Sequence, residues 1–181
     1  AQRFATSIRQ LGDQNATALA VGDDGSIYVA GRASTGGGDA MIVRLDASGK
    51  VQEKRTIDSG GSDTITALAI DGDGQLLALT KNGNESSLLR IDAQDLTSEL
   101  ISYALGDVDA RAITVSDSGE VAIVGSTSVA VNGDQANGLS GGRDAFVTRI
   151  SSDGASQITT YIGTDGNDQA DSVAYMNGQL Y

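Results

Sequence analysis

The feature that most constrains this chain is a segment that recurs at a spacing of about fifty residues. TALAVGDDGSIYVAG begins at Thr17, TALAIDGDGQLLAL at Thr66 and AITVSDSGEVAIVG at Ala112, and a further copy, SVAYMNGQLY, begins at Ser172. Each copy runs from an apolar strand through a short turn into a second apolar strand, with a glycine at Gly25, Gly74, Gly119 or Gly178 just before the return. That is the pattern of a β-hairpin. The glycine is expected at positive φ, where a Cβ is penalised, and the Asp or Asn before it is expected to bond the turn backbone.

Two more strands follow each hairpin. The third is DAMIVRLD from Asp39, ESSLLRID from Glu85 and DAFVTRIS from Asp144; the fourth is KRTIDSG from Lys54, LISYALG from Leu100 and ITTYIG from Ile158. The amino-terminal RFATSIRQLG from Arg3 matches a fourth strand rather than a first. In each repeat the second strand is nearly continuously apolar (residues 27–30, 76–79 and 121–124), as in strands covered on both faces, whereas a sheet with one wet face would alternate.

Four-stranded sheets that roof one another in series are the blades of a β-propeller. The expected fold is therefore all-β, with an outer strand at 3–12, blades at 13–61, 62–107 and 108–164, and a partial blade at 165–181. This makes about three and a half to four blades, expected to be part of a larger propeller. A β-solenoid also stacks sheets, but its rungs are shorter than this period. Composition agrees: 24 glycines, no proline, no cysteine and 4% aromatic residues favour short strands joined by glycine turns. An open arc would leave unpaired strand edges, so self-association is one expected behaviour.

With 24 acidic against 12 basic residues the net charge is −12, which repels phosphate backbones and anionic membranes. Nucleic acid is not expected as a partner. No apolar run reaches the eighteen or so residues of a membrane helix, so membrane insertion is not expected either. The start AQRFATS has neither an initiator Met nor a signal pattern, and the chain reads as an internal cut from something longer.

The repeat resembles the bacterial seven-bladed β-propeller repeat family, whose pattern joins an AIxVDxxGxxYVxG hairpin to GxDAFVxRL and a YxGGxGxD-like close. The matching residues are LAVGDDGSIYVAG, GGRDAFVTRI from Gly141 and TTYIGTDGNDQA from Thr159. The match extends over nearly the whole chain and is weakest in the second blade, where ESSLLRID replaces DAFV. The resemblance implies an extracellular or cell-surface bacterial protein, adhesin-like or appendage-associated, with no assigned catalytic residues.

Histidine and cysteine are both absent, which removes the usual catalytic triads, thiolate nucleophiles and commonest zinc ligands. A carboxylate-based glycosidase or lyase would be the remaining enzymatic option. Turn-making accounts for the repeated aspartates without it, so the expected function is a non-enzymatic structural or protein-interaction module. The connections LGDQN, SGGSDT, GDVDA and GTDGNDQAD gather Asp13, Asp63, Asp107, Asp109, Asp165, Asp168 and Asp171 on one rim. Hard oxygen ligands suit calcium, with Asp165, Asn167, Asp168 and Asp171 as the expected local set. The alternatives are solvated turns, or a calcium-assisted carbohydrate binder.

The long connection STSVAVNGDQANGLSGG of the third repeat departs from the other two. Its Asn132, Asp134, Gln135 and Asn137 are candidate contacts for a glycan or a neighbouring protein, against the alternative of a tolerated surface insertion. Arg44, Arg90 and Arg149 recur at one place in the third strand and are expected to pair with a carboxylate of the adjacent blade.

Overall fold

The computed structural model describes residues 14–33 and 38–181. The expected outer strand at 3–12 lies outside the described residues, as does Asp13. The first sheet is a meander of β1 (Gln14–Val21), β2 (Ile27–Ala33), β3 (Ala40–Leu45) and β4 (Val51–Ile57). The second repeats it with β5 (Asp63–Ile70), β6 (Leu76–Asn82), β7 (Glu85–Ile91) and β8 (Glu99–Asp107). In the third, β9 (Asp109–Val115), β10 (Val121–Thr127), β12 (Asp144–Ile150) and β13 (Gln157–Ile162) form the meander, and the short β11 (Asp134–Gln135) pairs beside β13. A last hairpin joins β14 (Tyr175–Met176) to β15 (Gln179–Leu180). There is no helix among the described residues.

The turns explain the recurring glycines. Gly25, Gly74 and Gly119 have φ of 80°, 75° and 83°, each closing a tight turn whose first residue also bonds the residue after the glycine. This is a type I turn followed by a left-handed residue, which only glycine enters without strain. Asn177 and Gly178, at φ of 51° and 74°, make the last hairpin a two-residue turn with both central residues left-handed. The side-chain bond, however, comes from the expected place only at Asp24, whose Oδ1 accepts from the Ser26 amide at 2.9 Å. In the next two copies the residue that opens the turn supplies it: Asp71 Oδ1 accepts from Gln75 N at 2.8 Å and Ser116 Oγ from Glu120 N at 3.0 Å. The opening position faces both returning amides, so a short polar side chain there closes the loop more completely.

Alternate side chains of β6 enter two different cores. Leu76 and Ala78 pack with Tyr28, Ala30 and Ile42 of the first sheet, while Leu77 and Leu79 pack with Val121, Ile123 and Phe146 of the third. All four β6 side chains are buried, and every residue of β10 is buried as well. The unbroken apolar strand in the sequence thus reflects a sheet sandwiched between two others.

A bulge interrupts each inner strand at the same register, between Ala16 and Ala18, Ile65 and Ala67, and Ala110 and Ala112. The bulged residue turns its side chain to the next sheet. Thr17 Oγ1 donates to Ile65 O at 2.6 Å, and Thr66 Oγ1 to Ala110 O at 3.2 Å. Arg111, the bulged residue of the third sheet, reaches onward to Asp171 at 2.9 Å.

Candidate functional site

The two rims of this stack differ in chemistry. On one, the β1–β2, β5–β6 and β9–β10 turns enclose an open cleft of about 570 Å³. Asp23, Asp24, Asp71, Asp73, Asp92 and Asp117 line it, and no Lys or Arg is among its lining residues. Asp71 is 7% exposed and faces Arg90 from behind, at 3.4 Å. Asp24 and Asp92 accept hydrogen bonds within their own turns. The backbone and side-chain hydrogen bonds from Ser26 hold the Asp24 carboxyl below its ordinary range, so it stays charged in mild acid. By contrast, Asp23, Asp73 and Asp117 are exposed, and their carboxylates accept no hydrogen bond from any described residue.

On the opposite rim the sheets meet at seams built from polar connections. At the first seam the described carboxylates of Asp39, Asp58 and Asp63 converge, with an oxygen of each within 4.8 Å of the others. Asp63, 4% exposed, accepts from the Ser59 amide at 2.9 Å and from the Ser59 hydroxyl. At the second seam Asp109 accepts from Lys81 Nζ at 2.8 Å and from two Arg111 nitrogens at 2.7 and 2.9 Å. Burial raises the Asp109 pKa, but the two cations outweigh it and hold the carboxyl below its ordinary value.

The connection at 163–171 engages its polar groups one by one. Asp168 Oδ2 accepts from the Thr164 amide at 2.8 Å and its hydroxyl at 3.0 Å, and Asp171 pairs with Arg111. Asn167 sits against Gly142 and bridges to Arg143, while Asp165 is exposed. Among the described residues these four are not the group that converges.

The long connection of the third repeat folds back on the sheet edge. Asp134 and Gln135 lie parallel to Ile158 and Thr159, making β11 a fifth strand beside β13. Asn137 imitates a strand residue, donating to Tyr161 O at 2.9 Å and accepting from Tyr161 N at 2.8 Å. Gln135 bonds Val131 O at 2.7 Å and receives the Tyr161 hydroxyl. Asn132 N reaches Leu105 O of the second sheet at 2.9 Å. Buried Val131 fills the space between the two sheets. Asp134 is exposed. Covering an outer strand in this way removes a row of unpaired backbone groups.

The recurring arginines pair within their own blade, which corrects the expectation of a bond to the neighbour. Arg44 meets Glu53 at 3.4 Å, Arg90 meets Asp71 at 3.4 Å and Arg149 holds Glu120 through two bonds at 2.8 and 2.9 Å. Each side chain lies across the face of its sheet and ends at that sheet's own turns or outer strand. Arg44 also crosses to the next blade, donating to Gln94 at 2.8 Å.

Three antiparallel four-stranded meanders stacked face to face, with a hairpin beyond them, define this protein as a partial β-propeller. Among solved structures the chain is similar to the Pan2 WD40 domain of Neurospora crassa, with a TM-score of 0.57 and 13% identity over 94% of this chain and 46% of that one. It is also similar to a protein of unknown function from Bacteroides caccae (TM-score 0.55, 14% identity, 92% and 52% covered) and to a puromycin hydrolase (TM-score 0.54, 14% identity, 87% and 23% covered). The chain spans about half the length of the first two. No protein-family model matches the sequence, and no curated protein does. At these identities the likeness is one of fold, and a fold that serves a WD40 domain and a hydrolase alike leaves function to the site.

Proposed function

We propose that this chain is a non-enzymatic protein-interaction module and that its binding face is the acidic cleft. The observation that carries the proposal is the set Asp23, Asp73 and Asp117. One comes from each of three successive turns, all are exposed, and turn-making uses none of their carboxylates. A carboxylate that stabilises a turn is explained by the fold; these three are left to face outward around one concavity. With no cation in the lining, the groups that match it are Lys and Arg side chains of a partner segment.

Propeller architecture supports the reading, because rigid blades hold loops from different repeats in fixed register on one rim. The resemblance to the seven-bladed repeat family and the cysteine-free acidic composition support a place at the surface of a bacterial cell, as a module of an adhesin-like or appendage-associated protein. The half-length overlap with solved propellers supports a ring completed by blades beyond this arc.

Fluorescence anisotropy with a labelled Lys/Arg-rich peptide tests the cleft. Binding is expected at 50 mM salt, weakening at least tenfold at 300 mM, and a further tenfold loss is expected in the Asp23→Asn/Asp73→Asn/Asp117→Asn variant. Equal binding by the variant and the parent chain would refute this face. Antibody labelling of intact source cells tests the surface location.

A further inference from the structure

On the rim opposite the acidic cleft, we infer that Asp39, Asp58 and Asp63 form a calcium site at the seam between the first two blades. Oxygens that share one calcium at about 2.4 Å lie no further apart than about 4.8 Å. That is the limit within which one oxygen from each of these carboxylates falls. Asp39 Oδ1 is sealed from solvent and has no hydrogen-bond partner, a condition rare for a buried carboxylate oxygen unless something positive fills the space beside it. Asp58 is exposed, which leaves a path for an ion to enter.

Comparison of the seams strengthens the assignment. Ile57 of β4 pairs with Ala40, as Ile162 of β13 pairs with Ala145, so Asp58 stands where the third blade has Gly163 and Asp39 where it has Asp144. In that blade Asp144 is satisfied by the Ser140 amide and hydroxyl, both at 2.9 Å, and no carboxylate occupies position 163. The second seam also differs. Asp109 opens β9 as Asp63 opens β5, and Lys81 neutralises it. The residue in the register of Lys81 one blade earlier is Arg32, since Ile27 pairs with Val21 as Leu76 pairs with Ile70. Arg32 lies at this seam but bonds the residues beside the carboxylates, donating to Gly38 O at 3.1 Å and Ser62 Oγ at 2.7 Å. Only the first of these seams, then, gains a third carboxylate while its basic side chain is engaged by Gly38 and Ser62 and forms no ion pair with the three. No ion pair to a described Lys or Arg relieves the three. The two connections are tied by Asp63 N to Gly38 O at 3.2 Å, and Gly60 N bonds Asp58 Oδ1 at 2.9 Å, so the groups are held in place before an ion arrives.

Thermal melts of the whole chain with added calcium chloride test the site. Three carboxylates correspond to a millimolar or somewhat tighter site, so 10 mM calcium is expected to raise Tm by about 3–6 °C, and magnesium, which needs a tighter cage, by less than about 2 °C. Asp58→Asn, on an exposed side chain, is expected to weaken binding about tenfold and reduce the calcium shift to about 1 °C. Asp39→Asn is expected to raise Tm without calcium, since one of three converging charges is gone, and to abolish the rise with it. Asp168→Asn is expected to keep the parent shift, because that carboxylate belongs to a separate connection. No shift in the parent at 10 mM calcium would overturn the assignment. So would a shift that survives Asp58→Asn and Asp39→Asn but is lost in Asp168→Asn.

Discussion

Leu96→Ala probes how strongly the first two blades are locked together. Leu96 lies in the connection between β7 and β8, is fully buried, and packs into the core shared with Tyr28, Ile42 and Leu89. The connection cannot collapse easily onto a void. Its Leu96 amide donates to Glu53 Oε1 at 3.0 Å, its Leu96 carbonyl accepts from Arg55 Nη1 at 2.9 Å, and Ala93 O receives the Tyr28 hydroxyl at 2.9 Å, all from the first blade. Removing a buried leucine to alanine costs about 2–5 kcal/mol, rising with the cavity that remains. A clamped loop belongs in the middle of that range, at about 3–4 kcal/mol. For a chain of 181 residues the unfolding entropy is about 0.38 kcal/mol per degree, so Tm should fall by about 8–10 °C. Circular dichroism melts would read this directly, with Leu96→Met as a volume-conserving control expected to cost under about 1.5 kcal/mol. A fall of less than about 3 °C for Leu96→Ala would mean that the connection does not hold the blades together.

Three further outcomes follow from the third blade and the hairpin beyond it. The pKa of Tyr175 is pushed up to about 12 by burial and by its hydrogen bond to Glu120, so the stability it lends is whole below its ordinary value of 10.0 and is lost as pH rises from there through about 12; phenolate absorbance at 295 nm should show a late-titrating component that Tyr175→Phe removes, together with release of the final hairpin. Glu120 is held below its ordinary 4.5 chiefly by its bond from Arg149, so its contribution is whole above that value and fades as pH falls through the lowered one, which limited proteolysis of the carboxy-terminal segment in acid would detect. In Gly163→Ala the new methyl would stand 1.7 Å from Asp144 Oδ1, a 1%-exposed carboxylate fixed by Ser140, and a cost of about 1–3 kcal/mol is expected in urea unfolding, against under about 0.5 for Gly138→Ala, where nothing lies within 4 Å.

What could be read from the sequence was whatever repeats. Glycines at fixed turn positions and the apolar second strands follow from local backbone sterics and from burial on two faces, and both leave a periodic mark. The convergence of Asp39 and Asp58 with Asp63 left none, because it joins two connections far apart in the chain through strand register. A partial signal was present. Ser59 and Asp63, Ser140 and Asp144, and Thr164 and Asp168 share a four-residue spacing in which the hydroxyl residue caps the aspartate, so these carboxylates could have been assigned to loop closure. Strand β11 was equally hidden, since Asp134 and Gln135 lie in a polar stretch without alternation and pair only because the long connection doubles back. The arginines misled for a different reason: recurrence marked them as architectural but did not fix the face along which each side chain lies.

The bulged threonines give the stack a direction. Because Thr17 bonds forward to Ile65, and Thr66 to Ala110, each of these two joints takes its donor from one blade and its acceptor from the next by the same local rule. A joint of that kind is indifferent to how many units precede it. Blades of this type could be duplicated, deleted or exchanged in evolution while every remaining junction stays chemically intact, so blade number would be free to drift and the rims would diverge independently.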